Sequence, residues 1–155
     1  MNIGLDMMGG DFAPLEAVKG VAEFLTADAD GVHLTLIGDE AQIKTHIAAH
    51  PVAADKYTIV HTTQVIEMNE HPTKALKEKK DSSIAIGFYL LATGKTDAFI
   101  SAGNTGAMMV GSLFSIKAIE GVLRPTIGAY MPREDGSLGL LVDVGLNADC
   151  KPENL

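Results

Sequence analysis

Short apolar runs alternate with segments whose apolar residues recur at helical spacing, and the alternation starts at the first residue. Asn2 to Asp6 reads as a buried strand and Met7 to Phe12 as a turn. Pro14 suits a first helical position, and Val18, Val21, Ala22 and Leu25 form an i, i+3, i+4, i+7 stripe behind it. Val32 to Ile37 predicts a second strand closed by Gly38-Asp39, and Ile43 with Ile47 marks a short helix. A third strand is expected over Tyr57 to His61 and a helix over Lys74 to Lys80, with Asp81 or Ser82 as the N-cap of the next helix. Ile84, Phe88 and Leu91 stripe that helix. Ala98 to Ser101 predicts a fourth strand, running through Ala102-Gly103-Asn104-Thr105-Gly106 into an apolar helix from Ala107 to Ile119.

Beyond Arg124-Pro125 the pattern changes. Ile127 to Met131 and Leu138 to Val144 flank the turn-rich Pro132-Arg133-Glu134-Asp135-Gly136-Ser137, which suits a hairpin. Strands alternating with helices imply an α/β fold with a parallel core, and the last pair adds an antiparallel element, so a mixed, mostly parallel sheet is expected. No linker, repeat or composition shift divides the 155 residues, which read as one domain, and Pro152 looks like the start of a helix with no room to form.

Composition narrows the function classes. With 46% hydrophobic and 21% charged residues the chain is of globular type, not a disordered one. Runs such as Ile84 to Ala92 reach about half of the roughly 18 to 20 residues a membrane-spanning helix needs, and the acidic start lacks the order of a signal peptide, so a cytoplasmic protein is the default expectation. A single cysteine makes no internal disulfide, and the 5 histidines are scattered, so no metal site is assigned. The net charge of −8 argues against a nucleic-acid partner. Its distribution says more: residues 1 to 73 hold 3 lysines against 11 acids, whereas residues 74 to 155 hold 9 bases against 9 acids. Lys74, Lys77, Lys79 and Lys80 crowd together at the start of that neutral part, either as a solvated helix face or as a patch for an acidic partner.

In an open α/β sheet, ligands bind beyond the carboxyl ends of the strands, where helix N-termini offer unpaired N–H groups to an anion. Four loops have chemistry suited to that position. Asp6-Met7-Met8-Gly9-Gly10-Asp11 lets backbone approach a ligand between two carboxylates, or is simply a tight strand-to-helix connection. Ser101-Ala102-Gly103-Asn104-Thr105-Gly106 suits phosphate, although Asn104 and Thr105 are equally ordinary capping residues. Lys79-Lys80-Asp81-Ser82-Ser83 places ammonium groups and hydroxyls at a helix start, and Asp143-Val144-Gly145-Leu146-Asn147 follows the last strand with a carboxylate and an amide. The sequence holds neither a P-loop nor the dinucleotide fingerprint GxGxxG, and Cys150 reads as a bystander thiol.

Taken in order with Arg124-Pro125 and the continuation Ala148-Asp149-Cys150-Lys151-Pro152-Glu153, these motifs closely resemble the bacterial phosphate acyltransferases of phospholipid synthesis over the whole chain. Met7 and Leu146 stand where that family usually has alanine, and Glu78 lies in a stretch it tends to make more basic. Members are about twice as long, so the resemblance implies that residues 1 to 155 are an N-terminal, truncated portion of one domain. It also implies a three-layer α/β/α fold like that of phosphotransacetylases and the isocitrate/isopropylmalate dehydrogenases. The implied reaction moves a fatty acyl group from acyl carrier protein to inorganic phosphate with no cofactor. Implied partners are acyl carrier protein, phosphate and a second copy in a homodimer, with peripheral membrane association through the missing part.

On that resemblance Asn104, Lys80 and Asp6 are the expected catalytic residues, with Asn104, Thr105 and nearby amides on phosphate or the oxyanion and Lys80 with Ser82 neutralising phosphate. Gly9, Gly10, Asp11, Ser83, Gly103, Gly106, Asp143 and Asn147 complete the expected binding set, where Asp6, Asp11, Asp143 and Asn147 chiefly organise the site. A binding module that turns nothing over is the alternative; oxidoreduction with a nicotinamide is a weak third, because fold does not carry function.

Overall fold

A computed structural model describes residues 1–27, 29–50, 52–122 and 125–143. The chain divides into two compact units, Met1–Ile116 and Lys117–Leu155. Expectations for Arg124, Val144, Leu146, Asn147, Cys150 and Pro152 fall outside the described residues.

The first unit runs β1 (Asn2–Asp6), α1 (Leu15–Ala27), β2 (His33–Gly38), α2 (Glu40–Ala49), β3 (Tyr57–His61), α3 (Pro72–Glu78), α4 (Ser83–Ala92), β4 (Ala98–Ile100) and α5 (Thr105–Ser115). Its sheet has the order β3-β2-β1-β4, and each neighbouring pair is parallel. Register brings Asp6 opposite Ile37, Leu5 opposite Ile100 and Gly38 opposite His61, so the strands end at a common edge. Progression from β1 to β3 runs one way across the sheet, and β4 then pairs on the other side of β1. The order therefore reverses between β1 and β4, the point at which a doubly wound sheet opens a crevice beyond its carboxyl ends.

Two cores lie on opposite faces. Val18 and Val21 of α1 and Ile43 and Ile47 of α2 pack with Met7, Leu34 and Leu36 in the first. Ile66, Ala75, Ile84, Phe88 and Ala107 form the second, where α3, α4 and α5 gather and Phe88 meets Phe99 edge to face at 5.2 Å. Helices on both faces of a parallel sheet make three α/β/α layers. Met7 is fully buried in the first core, so its side chain acts in packing.

Several boundaries differ from the sequence expectation. Pro14 precedes α1 instead of opening it; its carbonyl accepts from Val18, and the Ala13–Pro14 peptide bond is cis. α3 ends at Glu78, leaving Lys79 and Lys80 in the following turn. Ser82, not Asp81, caps α4 by accepting from the Ala85 N–H at 3.3 Å, and Leu90 is buried where Leu91 is half-buried. α5 stops at Ser115, short of Ile119, because Lys117 takes a left-handed φ of 72° that breaks the helical path.

In the second unit, β5 (Gly128–Pro132) and β6 (Leu138–Val142) form the expected hairpin. The mixed sheet is corrected in this respect: the hairpin is a two-stranded antiparallel sheet of its own, and the four-stranded sheet is wholly parallel. Asp143 follows with a φ of 61°, its N–H donating to the Ile127 carbonyl at 2.8 Å.

Candidate active site

Two of the four expected loops meet at the β1/β4 crevice, and the lysine turn is linked to the second of them through the segment that follows β3. Asp6, at the end of β1, is only 3% exposed and accepts from the Ser101 hydroxyl at 2.7 Å through Oδ2 and from the Met8 N–H at 2.9 Å through Oδ1. Ser101 Oγ in turn accepts from the Gly103 N–H at 2.9 Å. The carboxylate thus joins the β1 turn to the β4 loop.

Gly9 makes that junction close. A Cβ there would lie 2.6 Å from the Gly103 nitrogen and 2.8 Å from Asp6 Oδ2, so only glycine admits this approach of backbone to backbone. Gly10 follows with φ +95°, a conformation that L side chains rarely adopt, and Asp11 is exposed at the far side of the turn. Gly103 also faces Ile84 of α4, and a Cβ on Gly106 would meet Pro72 of α3 at 2.4 Å. Gly9 therefore sets how closely the two loops approach, and Gly103 and Gly106 set how closely the second lies against α4 and α3.

Asn104 caps α5, its Oδ1 accepting from the Ala107 N–H at 3.0 Å. Its Nδ2 lies within reach of three carbonyls, those of Glu67 at 3.0 Å, Met68 at 3.3 Å and Glu70 at 3.1 Å. The amide is buried and both its ends are engaged. At the exposed start of α5, the Thr105 and Gly106 N–H groups precede the one Asn104 takes, and neither has an acceptor among the described residues.

The two adjacent lysines separate. Lys79 Nζ donates to Glu70 Oε2 at 2.5 Å and to the Val65 carbonyl at 2.6 Å. Lys80 is exposed and has no ion pair among the described residues. Ser82 and Ser83 are buried; Ser82 spends its hydroxyl on the α4 cap and the Ser83 N–H donates to Gln64 O at 3.2 Å. Asp143 belongs to the second unit and Asn147 lies outside the described residues. No group of three or more metal-ligating side chains occurs among the described residues.

The segment from Thr62 to Glu70 has no counterpart in the expected site. It follows β3 and is sewn to the lysine turn: Thr62 Oγ1 donates to the Asp81 carbonyl, Gln64 Oε1 accepts from the Asp81 N–H, and Lys79 and Asn104 grip its far end. Ser101 and Lys79 stand in the quoted motifs, so their residue types signalled them; Glu70 sits in an acidic stretch with nothing local to mark it.

Glu70 carries the clearest electrostatic signature here. The hydrogen-bonded Lys79 ammonium, and then the Glu67 N–H, hold its carboxyl below the ordinary carboxylate range. A carboxyl depressed in the folded state stabilises the fold above its unfolded value, and that contribution is lost as pH falls through the folded value. The segment from Val65 to Glu70 is therefore expected to loosen as pH drops below the ordinary glutamate value of 4.5. Hydrogen exchange at the Glu67 and Glu70 amides measures it; Lys79→Met should exchange faster already at pH 7, and equal exchange in the two proteins would remove the latch.

Beside the Gly9–Gly10 turn a groove of about 540 Å³ opens on the α1 face of the sheet, bounded by Leu5, Ile100, Ala17, Gly20 and Phe24. Among the described residues no helix is long and apolar enough to cross a membrane.

Comparison with known proteins gives a family and a fold. A family model described as "Fatty acid synthesis protein" matches residues 1–155. A phosphate acyltransferase of Thermoanaerobacterium thermosaccharolyticum is 44% identical over 155 residues, which are 100% of this chain and 44% of that relative. Similar relatives of the same name come from Acetivibrio thermocellus, at 46% identity over 99% of this chain and 45% of the relative, and Bacillus subtilis, at 41% over 100% and 45%. The chain spans about half the length of these curated relatives. Among solved structures, the EutD phosphotransacetylase from Staphylococcus aureus superposes with a TM-score of 0.63 at 20% identity, covering 96% of this chain and 47% of that one, a likeness of fold.

Proposed function

The chain belongs to the fatty acid synthesis protein family, and from that membership we propose that the protein transfers a fatty acyl group from acyl carrier protein to inorganic phosphate, yielding acyl phosphate for phospholipid synthesis. The observation that carries this reading is the Gly9–Gly103 approach at the β1/β4 crevice, which sets freely approachable backbone beside the unpaired α5 amides. That is a cradle for an anion, with no side-chain nucleophile required.

Phosphate supplies the nucleophile. An oxygen of the hydrogen phosphate dianion attacks the thioester carbonyl and forms the C–O bond of acyl phosphate, the C–S bond breaks, and the carrier's thiolate leaves and takes up the proton that phosphate carried. The protein holds the dianion in line and offers preorganised donors to the oxyanion. Thr105 and Gly106 N–H groups take that donor role, and Lys80 supplies the mobile positive charge. Asp6 and Asn104 act through the loops they fasten, and Ser82 and Ser83 through the start of α4. Gly10 and Asp11 belong to the rim. Exposed Lys74 and Lys77 on α3 continue the charge of Lys80 and suit an acidic carrier protein. A homodimer, peripheral membrane contact and a place beside the isocitrate/isopropylmalate dehydrogenases in fold complete the reading.

Forming acyl phosphate from carrier thioester and phosphate tests it. Lys80→Ala is expected to raise KM for phosphate about tenfold, the equivalent of about 1.4 kcal/mol, with the melting temperature unchanged because the side chain is exposed. An unaltered KM removes Lys80 from the site; absence of acyl phosphate with the unsubstituted protein removes the reaction. For the 155 residues alone, which cover 44% of the Thermoanaerobacterium relative, the reading narrows to phosphate binding, measured by calorimetric titration.

A further inference from the structure

Two helices begin at the β4 loop. Asn104 of that loop caps α5, and Ile84 in the first turn of α4 brings its Cδ1 to 3.2 Å from where a Cβ on Gly103 would stand. With 10 residues in α4 and 11 in α5, both are long enough to carry a dipole, so two positive ends stand at one loop.

The first turn of α4 can be accounted for donor by donor. The Ser83 N–H goes to the Gln64 carbonyl, the Ala85 N–H to Ser82 Oγ and the Ile86 N–H to the Ser82 carbonyl. The Ile84 N–H is left without an acceptor among the described residues. Ser83 is only 1% exposed, yet its hydroxyl has no partner among them either. That hydroxyl is not sealed in: the enclosed one without a partner is Thr96 Oγ1, ahead of β4 at the amino edge of the sheet. The little surface Ser83 keeps therefore includes its oxygen. Cα–Cβ bonds of a helix tilt toward its N-terminus, so a side chain at the first helical position projects to the end where the free N–H groups lie.

We propose that Ser83 Oγ and the Ile84 N–H form the seat of phosphate, and that the two helix starts divide the reactants. α4, with Lys80 just ahead of it, holds the dianion; the Thr105 and Gly106 amides of α5 receive the thioester oxygen. The inference rests on the acyl-transfer reading and assigns its two halves to different helices. A buried hydroxyl without a partner destabilises a fold, because its desolvation is not offset, and one placed at a helix start is satisfied by an anion that binds there. Ser82 is the serine the resemblance pairs with Lys80, but its hydroxyl is engaged with the Ala85 N–H at 3.3 Å. Its neighbour is the one free to donate. One hydroxyl and one amide give two fixed donors to the oxygens of one phosphate, and the Lys80 ammonium adds the charge that strengthens both. The remaining oxygens stay free to attack the carbonyl.

Titration of inorganic phosphate into the protein, followed by calorimetry, tests the seat beside the kinetics of acyl phosphate formation. Ser83→Ala is expected to weaken phosphate binding and to raise KM for phosphate about tenfold, with KM for the carrier thioester changed by less than about twofold. Its melting temperature should not fall, because the hydroxyl removed leaves no partner behind. Thr96→Val removes the enclosed hydroxyl at the opposite edge of the sheet and should leave phosphate binding unaltered. Unchanged phosphate affinity in Ser83→Ala, an equal rise in both KM values, or earlier melting of that variant overturns the proposal. Absence of acyl phosphate from the unsubstituted protein strikes the acyl-transfer reading instead, and the titration still decides the seat.

Discussion

Asn104→Ala is expected to destabilise the first unit by about 3 kcal/mol, from about 1 kcal/mol for the lost helix cap and roughly 2 kcal/mol for the part-buried hydrogen bonds its Nδ2 makes to the segment from Glu67 to Glu70. For a unit of this size that lowers the melting temperature by about 10 °C. Phosphate-dependent turnover should fall at least about 10²-fold per folded molecule, because the α5 amides and the Glu67–Glu70 turn no longer hold one geometry. Asn104→Asp decides between a cap and a clamp. Aspartate caps as well as asparagine, so a residue that only caps would tolerate the change. A carboxylate, however, would face the three carbonyl oxygens of Glu67, Met68 and Glu70 with nothing to donate. The expected result is a loss as large as that of alanine. Near-wild-type melting and turnover in the aspartate variant would reduce Asn104 to a cap.

Asn104 also shows what the sequence does and does not disclose. Its place after a strand and before an apolar helix is legible locally, as are the strand–helix alternation and the glycine-rich turns, because a period of two or 3.6 and the steric freedom of glycine are properties of a few neighbouring residues. Its donor partners lie 34 to 37 residues away, where no periodicity reaches. Lys79 and Lys80 make the same point from the side of charge. They are adjacent and chemically alike, yet one is bound to Glu70 and Val65 and the other stands free among the described residues; the difference lies in the return of the β3 segment to the lysine turn. Local rules also misplaced the end of α5, since the apolar pattern runs on while a left-handed Lys117, not a glycine, turns the chain away. The hairpin was legible as a pair. That it stands as a two-stranded sheet of its own was not, because strand pairing beyond a hairpin is decided by tertiary placement.

Gly9→Ala is expected to have the largest effect on chemistry for the smallest change in side chain. The new methyl would sit 2.6 Å from the Gly103 nitrogen, 2.8 Å from Asp6 Oδ2 and 3.1 Å from the Ala102 carbonyl carbon, and two of these three are backbone atoms that no rotamer change can move aside. Relief requires the two loops to part, which strains the Ser101–Asp6 hydrogen bond and moves Gly103 away from the crevice. Overpacking of this kind costs about 1–3 kcal/mol in stability. Misplacing the loop by roughly 1 Å costs about 10²-fold in rate. Gly10→Ala separates these two consequences. Its φ of +95° makes alanine strained by about 1–3 kcal/mol as well, yet the nearest neighbour of its Cβ, the Ala102 methyl, is 3.5 Å away, an ordinary contact. The two variants should therefore melt alike and differ in kcat/KM per folded molecule, with Gly10→Ala retaining most of its activity. If Gly9→Ala keeps its rate within a few-fold while melting early, the Gly9–Gly103 approach is a packing contact and the anion cradle lies elsewhere along the carboxyl edge of the sheet.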